Sequence, residues 1–176
     1  MGKLEQGVEA SRRRYHVVPR TLCFITHGQE VLLLRGAPDK RIWPNRYNGV
    51  GGHVERHEDV HTAALREIWE ETGLAVHALR LCGLINVDAG DAQLGILVFV
   101  FTAVAPTREF APSHEGRLEW IARDRILEDD VLASQMVEDL PHILPYTLKH
   151  SSGDLPFFAH YRYDEDDELA ITIVQR

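Results

Sequence analysis

Hydrophobic residues along the chain gather into short runs with strand character, and polar segments rich in glycine and proline separate these runs. The runs predict strands at residues 17–25, 31–36, 75–90, 92–105, 116–122, 155–163 and 168–176. Short polar turns at 27–29 and 164–168 join the first two and the last two strands, so each pair is expected to form a hairpin. The segment 37–49 contains two prolines and is expected to be a loop.

Helical patterns replace the strand pattern in three places, namely from Asp59 to about Thr72 and over residues 123–129 and 133–149. Asp59 is the expected N-cap of the first helix, and Gly73 is its expected stop. Pro141 and Pro145 are expected to bend or break the third helix, because proline removes a backbone donor and clashes with the preceding turn.

The order of these elements predicts an α+β fold, since strands lead, one helix lies among them, and helices and strands close the chain. A length of 176 residues suits one compact domain. We divide the chain into a flexible N-terminal arm, residues 1–16, and a single domain, residues 17–176. The arm carries Arg12, Arg13 and Arg14 and is expected to be solvated; contact with an anionic partner is the alternative.

Composition narrows the class of protein. A net charge of −8 argues against nucleic-acid binding as the main role, but it leaves room for a small phosphorylated ligand whose charge a metal ion offsets. No apolar stretch approaches the roughly 20 residues that a membrane span needs, and no signal-peptide core is present, so a cytoplasmic protein is expected. Cys23 and Cys82 lie in apolar runs and are interpreted as reduced core residues.

Three glutamates on the first helix are the strongest chemical signal. The i, i+3, i+4 spacing of Glu67, Glu70 and Glu71 puts them on one face, where like charges repel and the helix dipole disfavours them. A divalent cation removes both costs, and carboxylate oxygens suit Mg²⁺ or Mn²⁺. From the spacing alone, a solvated acidic face without a metal ion is the alternative interpretation. The adjacent arc can pack on a sheet; it holds Ala64, Leu65, Ile68 and Trp69.

The segment before this helix, NGVGGHVE, has glycines at 49, 51 and 52, which allow close approach of the backbone to a ligand. Together the loop and the helix resemble the Nudix box, whose constrained positions are all matched. The matching residues are Gly52, Glu58, Arg66, Glu67, Ile68, Glu70, Glu71, Gly73 and Leu74. His57 stands where the family usually has a glycine, so a local adjustment of the backbone is expected there.

The resemblance implies an α/β/α sandwich around a mixed sheet, and an enzyme that hydrolyses a nucleoside diphosphate linked to another group with Mg²⁺ or Mn²⁺. It implies that Glu67, Glu70 and Glu71 bind the metal ion, together with a main-chain carbonyl of Gly51 or Gly52. Arg66 then orients the glutamates, and Glu58 and Gly73 are structural. Glu115 is the expected additional carboxylate, and the candidates for the general base are Glu71, Glu70 and Glu115, in that order.

The segment before the box and the C-terminal tail are similar to those of mutator-type purine nucleoside triphosphatases, which cleave oxidised purine nucleotides. That similarity assigns Asn48 and Asp139 to the base, and Gly51 and Gly52 to the phosphates. Leu140 occupies the place of a second acid, and a tryptophan of that group has no counterpart. Trp43 or Tyr47 is the candidate to stack on the base, with packing as the alternative role.

Three alternatives stay open from the sequence. A pyrophosphatase for ADP-ribose or another nucleoside diphosphate derivative is the first of them, and a non-catalytic Nudix module that only binds its ligand is the second. The third concerns assembly, since Nudix proteins often pair and a homodimer is therefore open. For the enzyme and for the binding module alike, the expected ligand is a small nucleotide.

Overall fold

The computed structural model describes residues 14–164, 166 and 168–175. Residues 1–13 of the predicted arm lie outside this range. The strands are β1 (His16–His27), β2 (Glu30–Gly36), β3 (Tyr47–Asn48), β4 (His77–Asp88), β5 (Leu94–Val104), β6 (Gly116–Ala122), β7 (Phe157–Tyr163) and β8 (Leu169–Val174). The helices are α1 (Val60–Thr72), α2 (Arg123–Glu128), α3 (Asp130–Ala133) and α4 (Leu140–Lys149).

The strands form one mixed sheet in the order β3-β2-β1-β5-β4-β7-β8, and β6 also pairs with β2. The β1–β5 and β4–β7 pairs are parallel, and the other pairs are antiparallel. Side chains alternate between the two faces of each strand, which gives two separate hydrophobic cores. Ala64 and Ile68 of α1 pack with Cys23 on one face, and Ile143 and Leu144 of α4 pack with the other. The predicted α/β/α sandwich is confirmed.

Helix α1 begins and ends at the residues that the sequence predicts. The Asp59 carboxylate accepts hydrogen bonds from the backbone N–H groups of His61 and Thr62, at 2.9 and 3.0 Å. Gly73 follows the helix in the left-handed conformation, with φ of 69°, and its N–H donates to the carbonyl of Trp69. These two caps supply hydrogen-bond partners to backbone N–H and C=O groups that the helix itself leaves unpaired at its ends, and they fix the length of the helix.

The predicted apolar stripe of α1 is partly wrong. Ala64 and Ile68 are fully buried, but Leu65 is 36% exposed and Trp69 is 59% exposed. The helix instead packs along the row that holds Ala64, Glu67, Ile68 and Glu71, whose spacing also places them on one face. Two of the three glutamates are therefore turned towards the sheet and away from bulk water.

Gly73→Ala is expected to lower the free energy of unfolding by about 1–2 kcal/mol, because the left-handed conformation puts a Cβ against the carbonyl oxygen. The added Cβ would also lie 3.0 Å from the Cβ of Ala111. Urea unfolding of both variants measures the loss. Gly73→Asn is the matched control, since asparagine adds the same Cβ but tolerates this conformation better, and an equal loss in both variants would assign the effect to crowding alone.

Over residues 133–149 the expected break in the predicted helix is confirmed. The chain forms the short α3, an irregular stretch, and then α4, so the break falls before Leu140. Pro141 lies in the first turn of α4, where a missing N–H costs nothing. Pro145 lies inside α4 without ending it.

The predicted loop 37–49 contains a short strand that the sequence did not indicate. β3 pairs with Leu34 and Arg35 of β2, and Tyr47 exchanges backbone hydrogen bonds with Gln135 and Val137. A strand of two residues has no periodicity to detect. It nevertheless positions Asn48 beside the irregular stretch before α4.

The cysteines, His57 and the helices can each be compared with the predictions from the sequence. Cys23 and Cys82 are free and buried, as predicted. Positive φ among the described non-glycine residues occurs at Trp43, Asn45 and Ala78, so His57 replaces the usual glycine without entering the left-handed region. Across residues 14–164, 166 and 168–175, no helix is long and apolar enough to cross a membrane.

Candidate active site

A cavity of about 500 Å³ opens between the glycine-rich segment, the sheet and the residue that precedes α4. At one end it is lined by Gly51, Gly52 and Glu71, with Lys40 and Glu115 above them. Its walls are apolar side chains of β1, β4 and β5, namely Leu22, Ile85, Val87, Ile96 and Val98. Asn48, Asp139 and Tyr161 also line it. The cavity thus joins the predicted diphosphate site to the predicted base site.

Arg66 holds the acidic groups beside this cavity. Its guanidinium donates to both carboxylate oxygens of Glu58, at 3.1 and 2.6 Å, and to the carbonyl of His53 at 3.0 Å. Nη1 donates to Glu67 at 2.9 Å and to Glu70 at 3.0 Å. Five donor contacts from one planar group tie α1 to the preceding loop and fix the directions of the carboxylates.

Glu71 faces a different environment from the other glutamates. Its Oε2 atom is buried and has no hydrogen-bond partner. The pKa of its carboxyl is raised to about 8, first by burial and then by the negative charges of Glu115 and Glu67. The charge of Lys40 and the N–H of Gly51 act in the opposite direction. A buried oxygen without a partner, surrounded by negative charge, favours a proton or a cation there.

Gly52 lies against the Glu67 carboxylate so closely that a Cβ at this position would be 2.5 Å from Oε1. The carbonyl of Gly52 accepts a hydrogen bond from the N–H of Thr21 at 2.8 Å, which leaves one lone pair for a ligand. A Cβ at Gly51 would lie 2.2 Å from the carbonyl oxygen of Thr21. Both glycines are therefore required by close contact, and the segment is fixed to β1.

Glu115 reaches the cavity from the turn before β6, and its carboxylate forms an ion pair with the ammonium of Lys40. Its carbonyl accepts from the N–H of Ala37 at 3.0 Å, which anchors the turn to the start of the 37–46 segment. The structure thus brings Glu71 and Glu115 to the cavity, and the charge of Glu67 also reaches Glu71. Glu70 is on the outer side of α1, with its side chain 56% exposed.

These donors fit a hard divalent cation. All are oxygen atoms, one of them is buried without a partner, and the Gly52 backbone leaves the space that a side chain would fill. Arg66 and Lys40 occupy several of the carboxylates. In this arrangement no three His, Cys, Asp or Glu side chains within the described ranges are placed to hold a metal ion together.

The other end of the cavity is lined by polar groups. The Oδ1 atom of Asn48 accepts from the N–H of Gly49 at 2.8 Å, so its amide nitrogen is left to donate. Burial raises the pKa of Asp139 to about 6. The hydroxyl of Tyr161 is buried beside the Asp139 carboxyl and interacts with it, and the residue is 4% exposed. This end offers one donor, one carboxyl and one hydroxyl.

The sequence did not identify Tyr161 or Lys40 as site residues. Alternation in β7 places Phe157, Ala159 and Tyr161 on the buried face, but it gives no indication that Tyr161 reaches the cavity. Leu140 is 1% exposed and packs in the core, so the place of the second acid is closed to the ligand.

The two aromatic candidates for stacking have different positions. Tyr47 is 6% exposed, its hydroxyl donates to Glu119 at 3.1 Å, and Arg35 lies over its ring at 5.4 Å. Its role is packing. Trp43 is 49% exposed and lines the cavity.

Comparison with known proteins agrees with this geometry. The sequence profile of the NUDIX domain matches residues 16–145, and the chain belongs to the Nudix family. The chain is 30% identical over 155 residues to the oxidized purine nucleoside triphosphate hydrolase of Danio rerio, with 85% of this chain and 96% of that protein covered. It is therefore a Nudix hydrolase, acting on pyrophosphate bonds of nucleoside diphosphate derivatives. Nudix hydrolases generally use divalent metal ions.

Two solved structures are similar to the whole domain. The mutator MutT protein of Bacillus halodurans has a TM-score of 0.71 and 26% identity, with 89% of this chain and 97% of that chain covered. The NUDIX domain of Shewanella oneidensis NrtR, solved with ADP ribose, has a TM-score of 0.63 and 14% identity, with 83% and 96% covered. The second likeness shows the fold alone.

Proposed function

We propose that the protein hydrolyses a purine nucleoside triphosphate, oxidised forms included, to the monophosphate and pyrophosphate with Mg²⁺ or Mn²⁺. The observation that carries this proposal is the single cavity with two chemically different ends. One end has oxygen donors and a glycine backbone for phosphates, and the other has Asn48, Asp139 and Tyr161 for a base edge. The similarity to the oxidized purine nucleoside triphosphate hydrolase of Danio rerio supports the same substrate class.

The residues that would hold the metal ion are Glu67, Glu70, Glu71 and Glu115, together with the carbonyl of Gly52. When bound, the ion polarises the phosphoryl group and orients the phosphate chain. Arg66 keeps the Glu67 and Glu70 side chains in place through the contacts described above. The glycine backbone lets the phosphates approach without meeting a side chain.

Glu71 is our first candidate for the general base, ahead of Glu70 and Glu115. Glu71 lines the cavity and its buried Oε2 atom has no hydrogen-bond partner, whereas Arg66 holds Glu70 and Lys40 holds Glu115. A carboxyl acts as a base only in its ionised form, which a divalent cation bound beside it would favour. Glu71 would thus deprotonate the attacking water.

The base end is complementary to a 6-oxopurine. The amide nitrogen of Asn48 donates, which suits the carbonyl oxygen of such a base. An ionised Asp139 accepts, which suits the ring N–H and amino group on the same edge. The Tyr161 hydroxyl completes the set, because it lies beside the Asp139 carboxyl and can hold that carboxyl in place for the base.

A substrate panel tests the proposal. With Mg²⁺ present, 8-oxo-dGTP and dGTP should release pyrophosphate with a kcat/KM at least about fivefold above that for dCTP, since a lost polar match at a buried site costs at least about 1 kcal/mol. Faster turnover of ADP-ribose would move the assignment to a different pyrophosphatase. Tight binding of one nucleotide without turnover of any would identify a binding module instead.

Asn48→Ala is expected to lower kcat/KM for dGTP by about 2–10-fold, the usual net value of one hydrogen bond. Steady-state assays of pyrophosphate release measure the change. Turnover of dCTP is the internal control and should change less, so the purine preference should fall. An equal loss for both nucleotides would show that Asn48 acts on the backbone and not on the base.

A further inference from the structure

Lys40 belongs to the 37–46 segment and lines the cavity beside Glu115. Its ammonium contacts the Glu115 carboxylate, and both side chains are partly exposed, at 36% and 49%. An exposed ion pair contributes only about 0–1 kcal/mol to folding. The ion pair therefore stabilises the fold only slightly. The position of Lys40 beside Glu115 matters more than this contribution to stability.

Two of the described cationic residues form ion pairs with the glutamates of the site. Arg66 contacts Glu58, Glu67 and Glu70. Lys40 is the cation whose charge reaches Glu71, where it opposes the effect of Glu115. Lys40 thus offsets the negative charge on the side of the cavity where the buried, unpartnered oxygen of Glu71 lies.

From this arrangement we propose that Lys40 is a resident counter-ion that occupies Glu115 and competes there with the divalent cation. The inference rests on the proposed function, in which Glu115 is one of the metal-binding carboxylates. An ammonium and a divalent ion repel each other, so they cannot share the same carboxylate oxygen without cost. Uptake of the metal ion then requires Lys40 to leave Glu115, and the 37–46 segment that carries it must adjust.

The proposal gives Lys40 a positioning role and not a catalytic one. In the protein without a metal ion it keeps the Glu115 carboxylate directed into the site, and it lowers the repulsion between Glu115 and Glu71. The same contact weakens metal binding, because the free energy of the ion pair must be given up first. A variant without the ammonium should therefore bind metal more tightly, which is opposite to the effect of a general loss of structure.

Lys40→Gln is the test, with Mn²⁺ as the probe and no nucleotide present. Electron paramagnetic resonance of free Mn²⁺ at pH 7.5 gives the Kd. We expect Kd to fall by about 2–5-fold, the range that corresponds to an exposed ion pair. Lys40→Arg keeps the charge and should stay near the wild-type value. Arg41→Gln is the matched control, since it removes one positive charge from the neighbouring exposed position and should change Kd less.

The outcomes separate this inference from the proposed function. If the wild type binds Mn²⁺ and Lys40→Gln binds it equally or more weakly, the competition does not exist. A gain of the same size in Arg41→Gln would also overturn it, because overall charge would then explain the effect. If none of these proteins binds Mn²⁺, the metal site fails and both proposals fall. Thermal melts of all variants, matching the wild type, show that the fold is intact.

Discussion

Glu71→Gln is expected to lower kcat by about 10²–10⁴-fold, the contribution typical of a positioned general base. Glutamine keeps the size of the side chain but can neither accept a proton from water nor carry a negative charge. The loss should appear in kcat for every substrate that the enzyme turns over, because in the proposed function the base edge would bind at the other end of the cavity. Pyrophosphate release under saturating nucleotide measures it.

The stability of the same variant provides the control. The pKa of Glu71 is raised in the folded protein to about 8, against 4.5 for an ordinary glutamate, so the folded state holds this proton more tightly than the unfolded state. Without a metal ion, the wild type therefore loses stability as pH rises from about 4.5 to 8. Glu71→Gln lacks this loss and should melt at a higher temperature than the wild type at pH 8–9. Near-normal kcat in a variant with this melting behaviour would remove Glu71 from the site.

Arg66→Lys is expected to lower kcat/KM by about 10–100-fold, the usual effect of losing a group that orients ligating side chains. Lysine keeps the positive charge but presents one point of contact, so it cannot reach Glu58, Glu67, Glu70 and the carbonyl of His53 together. Calorimetric titration with Mn²⁺ should show weaker binding in parallel with the loss of activity.

Arg56→Lys is the matched control for this experiment, because Arg56 is exposed in the loop that precedes α1. It should retain the activity of the wild type. Wild-type activity in Arg66→Lys would show that positive charge alone is sufficient, and that the planar fork of contacts has no role in orientation. Equal losses at both positions would assign the effect to the loop as a whole.

The sequence predicts the parts of the fold whose signals are local. Asp59 and Gly73 mark the ends of α1 because capping depends on residues within one turn of the helix end. The α+β class and most strands follow from runs of hydrophobic residues. The row of residues that α1 buries depends on what it packs against, which is why Leu65 and Trp69 are exposed while Glu67 and Glu71 turn inwards.

The parts that the sequence could not predict depend on contacts between remote segments. β3 exists because Tyr47 pairs with both β2 and the stretch before α4. Tyr161 reaches the cavity because β7 lies parallel to β4, beside Val87. Lys40 reaches Glu115 because the turn before β6 hydrogen-bonds to the 37–46 segment. Motif spacing carries none of this information.

The two ends of the cavity differ in how freely their residues can be substituted. The phosphate end comes mainly from one continuous stretch, the glycine segment and α1, in which close contacts leave little room for substitution. The base end combines Asn48, Asp139 and Tyr161, which stand on three distant parts of the chain. On the proposed function, substitutions in those three parts can change which nucleotide binds while the stretch that performs hydrolysis stays the same. Substrate specificity can then diverge within one fold without a change in the reaction.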